Sequence, residues 1–317
     1  MLKTDNFLIP LLSSAEFAHL HLECRMLEAI HVDVATIIRL RRRLRASAQE
    51  VLRDKAGVFK ELFEPHLSPD PVALKRYQKG APAFVIDSGS IRYGEYHPGD
   101  MFKFEVRLFG SIAMHASGLI ETFAALGKTG FRLDAGKYIL EHVKAGDASG
   151  KAITVWHQSG GAECHNIPRL DLGWWLQDQP QKCHGFKLKF ATPARLLPRG
   201  KPMFSPTIST LLPFVHRRVT SMLYTHCGVE LDPAELELNP GVNGWNCVKN
   251  NLFWHDWRNL YSGAGNPHPI GGVYGDVCVQ GDIAPPVLSV LQLGSLMNLG
   301  KNAAYGAGSY SIVHRMD

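Results

Sequence analysis

Near the end of the chain, the stretch LMNLGKNAAYGAGSY, Leu296 to Tyr310, sets three glycines and a lysine close together. Glycine alone tolerates positive φ and close backbone approach at little steric cost, so Gly300, Gly306 and Gly308 mark a loop bent tightly around a neighbour. Amides exposed in such a bend form an anion-binding concavity, and Lys301 adds a point charge to it. Phosphate recognition is the chemistry this favours. The competing reading is a helix that stops at Gly300 and a glycine-punctuated turn into a strand over Ser309 to His314, with no ligand. The spacing fits neither a P-loop nor the dinucleotide fingerprint, so no nucleotide cofactor is expected.

A second cluster is RLRRRLRASAQEVLR, Arg39 to Arg53. At about 100° per residue, Ile37, Leu40, Leu44, Ala48 and Val51 share one face, while Arg39, Arg42, Arg43 and Arg53 gather opposite them. Like charges one turn apart repel, so a purely cationic face calls for an anionic partner. Arginine's planar fork suits phosphate, which it grips in a bidentate way. Acidic neighbours or plain exposure are the alternatives.

Composition sets the frame for these two clusters. The 317 residues are 45% hydrophobic and 20% charged, which describes a folded globular chain long enough for two domains and not a disordered one. Against 34 Lys+Arg stand 29 Asp+Glu, a net charge of +5 that tilts toward polyanionic partners. The six cysteines form no CxxC pair, as expected of reduced thiols. Cys164-His165, Cys183-His184 and His226-Cys227 are adjacent pairs, and neighbours on a strand or helix do not point at one metal, so no zinc site is expected from them. No apolar run of about 18 residues is present to span a membrane. The opening MLKTDNFLIPLLSS is too short and too interrupted for a signal peptide, and the expected location is the cytoplasm.

These clusters need elements to hold them. In the first block, strands are expected near Glu16 to Met26, Ala83 to Ser88 and Phe102 to Gly110, and helices near Asp33 to Asp54 and Met114 to Leu126. A strand or hairpin then begins at Phe131. A second block has a strand at FKLKFATPARL from Phe186, a helix near Thr207 to Tyr224, strands over Gly272 to Gln280, and a helix from Pro285 to Gly300. The order predicts an α+β protein: two tandem ferredoxin-like (split βαβ, RRM-like) domains over 1–158 and 184–317, with the glycine-rich loop in the second. Between them, 159–183 reads as an irregular segment whose Trp174 and Trp175 plug a domain face, the alternative being that they stack on bases.

With Trp254, Asp256, Trp257, Ser262, Gly271-Gly272, Gly275, Gly300-Lys301, Gly306, Gly308 and Tyr310 in this order, the chain resembles the CRISPR precursor-RNA processing endoribonucleases of the RAMP superfamily, the Cas6 family. SPDPVALKRYQKGAPAFVIDSG and YHPGDMFKFEVRLFG are similar to the middle of the N-terminal domain of bacterial members. The resemblance implies a metal-independent RNase without cofactors that binds the CRISPR repeat hairpin, cuts on its 3′ side and in many systems stays on the mature crRNA beside other effector-complex subunits. It further implies that the glycine loop, with Gly300, Lys301, Gly306, Gly308 and Tyr310, lies beside the RNA and the first helix, and the matching Gly271 and Gly272 are taken as RNA-binding with it; Arg53, from the cationic face of the helix, is the remaining RNA-binding candidate. Two departures stand out. Gly263-Ala264-Gly265-Asn266 follow Tyr261-Ser262 where members carry an Arg-Gln pair, and the first helix offers only arginines where many members place a histidine.

Metal-free cleavage uses the RNA's own 2′-hydroxyl as nucleophile, leaving a 2′,3′-cyclic phosphate and a 5′-hydroxyl. Histidine suits the proton transfers, and His31 and His66 flank the arginine helix in sequence. In the rival picture Arg39, Arg42 and Arg43 hold the scissile phosphate in line and stabilise its charge. An inactive subunit that caps crRNA and a general RNA-binding module are the two other functions considered.

Overall fold

The computed structural model describes residues 6–66, 71, 80–132, 135–147, 150–160, 167–231, 245–256 and 271–314. A single turn α1 (Leu8–Leu11) leads into β1 (Glu16–Met26), whose alternation buries Ala18, Leu20, Leu22 and Cys24 and turns His19, His21 and Glu23 to the other face. A short strand β2 (Ile30–Val32) is followed by α2 (Val34–Val51), which starts at a capping box in which Asp33 accepts from the Thr36 amide at 2.7 Å. Then come α3 (Ala56–Phe63), β3 (Phe84–Asp87), β4 (Gly94–Tyr96) and β5 (Met101–Phe109). A 3₁₀ segment over Gly110–His115 feeds α4 (Ala116–Thr129), and β6 (Tyr138–Gly146) and β7 (Ala152–His157) form a hairpin.

The connecting segment is not irregular throughout. It holds β8 (Leu170–Asp171), which pairs with β1, and α5 (Leu172–Gln177), capped by Asp171. Beyond it lie β9 (Gly185–Phe190), α6 (Ile208–Met222) with a capping box from Thr207, β10 (Asn246–Asn250), β11 (Phe253–Asp256), β12 (Gly271–Tyr274), β13 (Asp276–Gln280), α7 (Pro285–Met297) and β14 (Tyr310–His314). The strands expected over Gly272 to Gln280 are β12 and β13, separated at Gly275, whose φ is 105°. Pro285 and Pro286 occupy the first turn of α7, where their missing amide donors cost nothing.

The result is an α+β protein with two principal antiparallel sheets. The first has the order β3-β5-β1-β6-β7, and the second β10-β13-β9-β14. Each is covered on one face by helices: α2 and α4 on the first, α6 and α7 on the second. Two exchanges tie the halves together. Leu8 of α1, Leu12 just after it, and Leu172 and Leu176 of α5 belong to the core of the second half, so this N-terminal segment and the connector pack with the C-terminal elements. Conversely, Ala304 and Tyr305 of the glycine loop sit in the core of the first half. Trp175 packs on the second core while Trp174 is 40% exposed, so only the first of them acts as a plug. Among the described residues, no helix is long and apolar enough to cross a membrane.

Candidate nucleic-acid interface

The helix α7 ends at Asn298, which adopts φ 54° and whose side-chain amide donates to the Ile86 and Ala303 carbonyls at 3.0 and 3.1 Å. The chain then folds back on itself through Gly300, Asn302, Gly306 and Gly308, all at positive φ. A Cβ on Gly306 would strike the Ser88 hydroxyl, and one on Gly308 the Leu299 carbonyl, so only glycine fits these turns. The Gly306 carbonyl accepts from the hydroxyls of Ser88 and Thr192, each at 2.7 Å.

This geometry corrects the expectation of a backbone anion cradle. The amides of Lys301, Ala303, Tyr305, Gly306, Ala307 and Gly308 already donate to protein carbonyls. What the loop offers to an anion is its exposed side chain Lys301. Gly306, Gly308 and Tyr310 are buried, and the Tyr310 hydroxyl donates to the Leu291 carbonyl at 2.7 Å, bracing α7 against β14. Gly271 and Gly272 are buried as well. A Cβ on Gly272 would meet the Ala194 backbone at 2.8 Å, so this glycine serves close strand packing. Gly271 lines, with Arg195, Lys301, Asn302 and Ile38, a crevice of about 20 Å³, room for one water. None of these five buried residues presents a surface to RNA. Trp257 and Tyr261 to Asn266 lie outside the described residues.

Against this loop lies α2, and its arginines divide between two flanks. Arg41 donates to the Asn302 side chain at 2.9 Å and stacks over the Tyr305 ring at 5.8 Å. Arg45, one turn on, pairs with Glu64 and lies over the Phe59 ring at 5.7 Å. Burial works against its charge, but the hydrogen bond to Glu64 and the nearby Tyr305 hydroxyl outweigh it and raise the guanidinium above its ordinary value. These two residues were not singled out in the sequence. They stand at the edge of the apolar stripe, four apart, and that position shows an edge without showing what packs on it.

The other flank holds the arginines that the helical projection selected. Arg39 is exposed, and desolvation together with repulsion from nearby Arg132 lowers its guanidinium below the usual range. Arg43 is half-buried and donates to the Thr129 carbonyl at the end of α4, so part of its cationic face is spent on capping a helix. Arg42 is exposed. Arg53 lies beyond the last residue of α2, about 20 Å along the axis from Arg39, and does not share its surface.

His31 belongs to this second flank. It sits on β2 just ahead of α2, 53% exposed, with Nδ1 2.7 Å from Glu95 Oε1 across the β2–β4 pair. Arg132 donates to the His31 carbonyl at 3.1 Å and to the Thr36 hydroxyl at 2.6 Å. A histidine oriented by a carboxylate beside two arginines can exchange protons next to a bound phosphate. His66 is exposed and follows α3. Glu64, two residues before it, meets Arg45, about 16 Å along α2 from its first residue. The structure therefore does not bring the two histidines together.

Comparisons with known proteins agree with this arrangement. Residues 188–310, which end on Tyr310 and include the glycine loop, match the family model described as CRISPR-associated endoribonuclease Cas6, and residues 39–167 match one described as the AF_1859 N-terminal domain. Over residues 188–310 the chain is thus similar to the Cas6 family of CRISPR-associated endoribonucleases. Among solved structures it is similar in fold to a partial Cas6-RT-Cas1–Cas2 complex (TM-score 0.56, 14% identity, 95% of this chain and 46% of that one). A Cas6-RT-Cas1–Cas2 complex matches with the same TM-score and identity, over 95% of this chain and 29% of the other. The product complex of the Thermus thermophilus Cas6 TTHB231 matches at TM-score 0.52 and 14% identity, over 94% and 99% of the two chains. The chain thus spans less than half the length of the first two. No curated protein matches it by sequence.

Proposed function

We propose that the protein is a metal-independent endoribonuclease that binds the CRISPR repeat hairpin and cleaves precursor crRNA by attack of the RNA's own 2′-hydroxyl. The observation that carries this reading is the clamped seam between α2 and the glycine loop; the loop, but not α2, lies within the residues that match the Cas6 family model. Both sheets have the strand order of a split βαβ unit, second-third-first-fourth, which supports a tandem ferredoxin-like arrangement.

In the proposed mechanism Arg39, Arg42 and Arg132 fix the phosphate at the start of α2, with Arg43 setting the position of α2 against α4, and Lys301 holds the strand from the loop side. His31, oriented by Glu95, exchanges the proton at the 2′-hydroxyl or at the leaving 5′-oxygen. Products are a 2′,3′-cyclic phosphate and a 5′-hydroxyl. The enzyme then stays on mature crRNA, where other effector subunits join it. A second reading, an inactive subunit that caps crRNA, is favoured by one feature: the exposed side of α2 itself carries arginine and no histidine.

Incubating the protein in EDTA with a labelled repeat hairpin, beside the same RNA carrying a 2′-deoxy nucleotide at the scissile position, separates these. Cleavage of the first alone supports the nuclease. Tight binding without a cut supports the capping subunit, and no binding overturns both.

A further inference from the structure

The face of the first sheet away from α2 carries a group that the RNA reading does not use. On β1, His19 and His21 point to the same side, two residues apart, and the register places His21 directly opposite Glu105 on β5. The Glu105 carboxylate reaches a ring nitrogen of each histidine. His19 Nε2 donates to its Oε2 at 2.8 Å, its Oε1 stands 3.6 Å from His21 Nδ1, and the ring centroids are 4.4 Å apart. We infer that His19, His21 and Glu105 form a binding site for one zinc-class divalent cation.

The donor set and its spacing carry this inference. One ligand atom from each residue lies within 4.8 Å of the other two. Four-coordinate zinc with bonds of about 2.0–2.1 Å sets its ligand atoms roughly 3.3 Å apart, so the three donors close on an ion through small side-chain rotations from a backbone that strand pairing already fixes. Two imidazoles and one carboxylate suit zinc and its neighbours, whereas magnesium and calcium require oxygen ligands.

Nearby cations do not compete for the carboxylate. Lys103 and Lys144 both hold Glu23 Oε1, at 3.0 and 3.1 Å, and Arg107 holds Asp87. A cavity of about 300 Å³, lined by His21, Glu105, Lys103 and Lys144, opens beside the group. It gives an ion its entry path and leaves the fourth position to water. The three side chains are a quarter to a third exposed, enough for exchange with solvent.

The site is separated by the sheet from α2 and the glycine loop, so it is independent of the proposed cleavage chemistry. The test is Zn²⁺ titration of the tag-free full chain against a chromophoric chelator, with Co²⁺ as spectroscopic probe and Mg²⁺ as control. The expected result is one equivalent of Zn²⁺, a strong Co²⁺ absorption of a four-coordinate nitrogen–oxygen site without a sulfur charge-transfer band, and no Mg²⁺ binding. His21→Gln and Glu105→Gln should each weaken Zn²⁺ at least about 10- to 100-fold, since even outer-shell partners of a metal contribute that much. Circular dichroism checks that each variant folds. Should one fail to fold, His19→Gln and the wild-type Co²⁺ spectrum decide. No Zn²⁺ binding, binding unchanged in the variants, or a sulfur-containing Co²⁺ spectrum would each overturn the assignment.

Discussion

On one flank of α2, Arg41 and Arg45 are held by Asn302, Tyr305 and Glu64, groups the fold itself supplies. On the other, Arg39 stands beside a second arginine, Arg132, at the end where His31 and Glu95 meet. Residues of one type on one helix are thus divided between joining the two halves and facing solvent. The closed flank fixes the position of α2 relative to the loop, and the open flank presents charge and a titratable ring to an anion.

The comparison would break most visibly at the loop. Gly306→Ala and Gly308→Ala place a side chain at φ 87° and 68° against Ser88 and Leu299, and should each destabilise the protein by at least about 3 kcal/mol in urea unfolding. A loss below about 1 kcal/mol would mean that the loop is not a fixed wall.

The seam between the halves carries a buried base of its own. His226 Nε2 donates to the Ala81 carbonyl at 2.9 Å, and burial, with Arg218 nearby, pushes its pKa down to about 4. It stays neutral in the folded state while the unfolded chain takes up a proton near pH 6.5. Stability is therefore full above about 6.5 and falls as the pH drops toward 4, by up to about 3 kcal/mol. Chemical denaturation across that range checks it, and His226→Leu should flatten the dependence.

Smaller effects sharpen the contrast between the flanks. Arg41→Ala should cost about 1 kcal/mol of stability through the lost loop contact, with little change in the salt dependence of hairpin binding. Arg39→Ala should leave stability within about 0.5 kcal/mol and reduce the salt slope by about one. Equal effects of the two substitutions on the slope would remove the distinction. Glu95→Gln should lower cleavage less than removal of His31 does, because Glu95 acts through the ring it orients.

Much of the fold was legible in the sequence. A strand near Glu16 to Met26 was expected, alternation marked the strand from Phe102, the arginine helix was found within three residues at its C-terminal end, and Pro285-Pro286 marked the start of α7. The α1 turn, α5 and β8 escaped because they are a few residues long and are held by the second core rather than by local pattern. Glycine spacing located the tight loop but could not tell amides free to bind an anion from amides already bonded to carbonyls, so Gly306, Gly308 and Tyr310 read as contacts when they are packing residues. The division of the arginines and the meeting of His19, His21 and Glu105 depend on tertiary neighbours distant in sequence, which periodicity does not encode.

The most direct test is single-turnover cleavage of the repeat hairpin in EDTA by His31→Ala beside His66→Ala, with hairpin affinity measured for both. The account predicts that His31→Ala slows cleavage by about 10²- to 10⁴-fold at nearly unchanged affinity, while His66→Ala cuts at close to the wild-type rate. A slow His66→Ala with an unaffected His31→Ala would place the chemistry away from the open end of α2 and contradict the account.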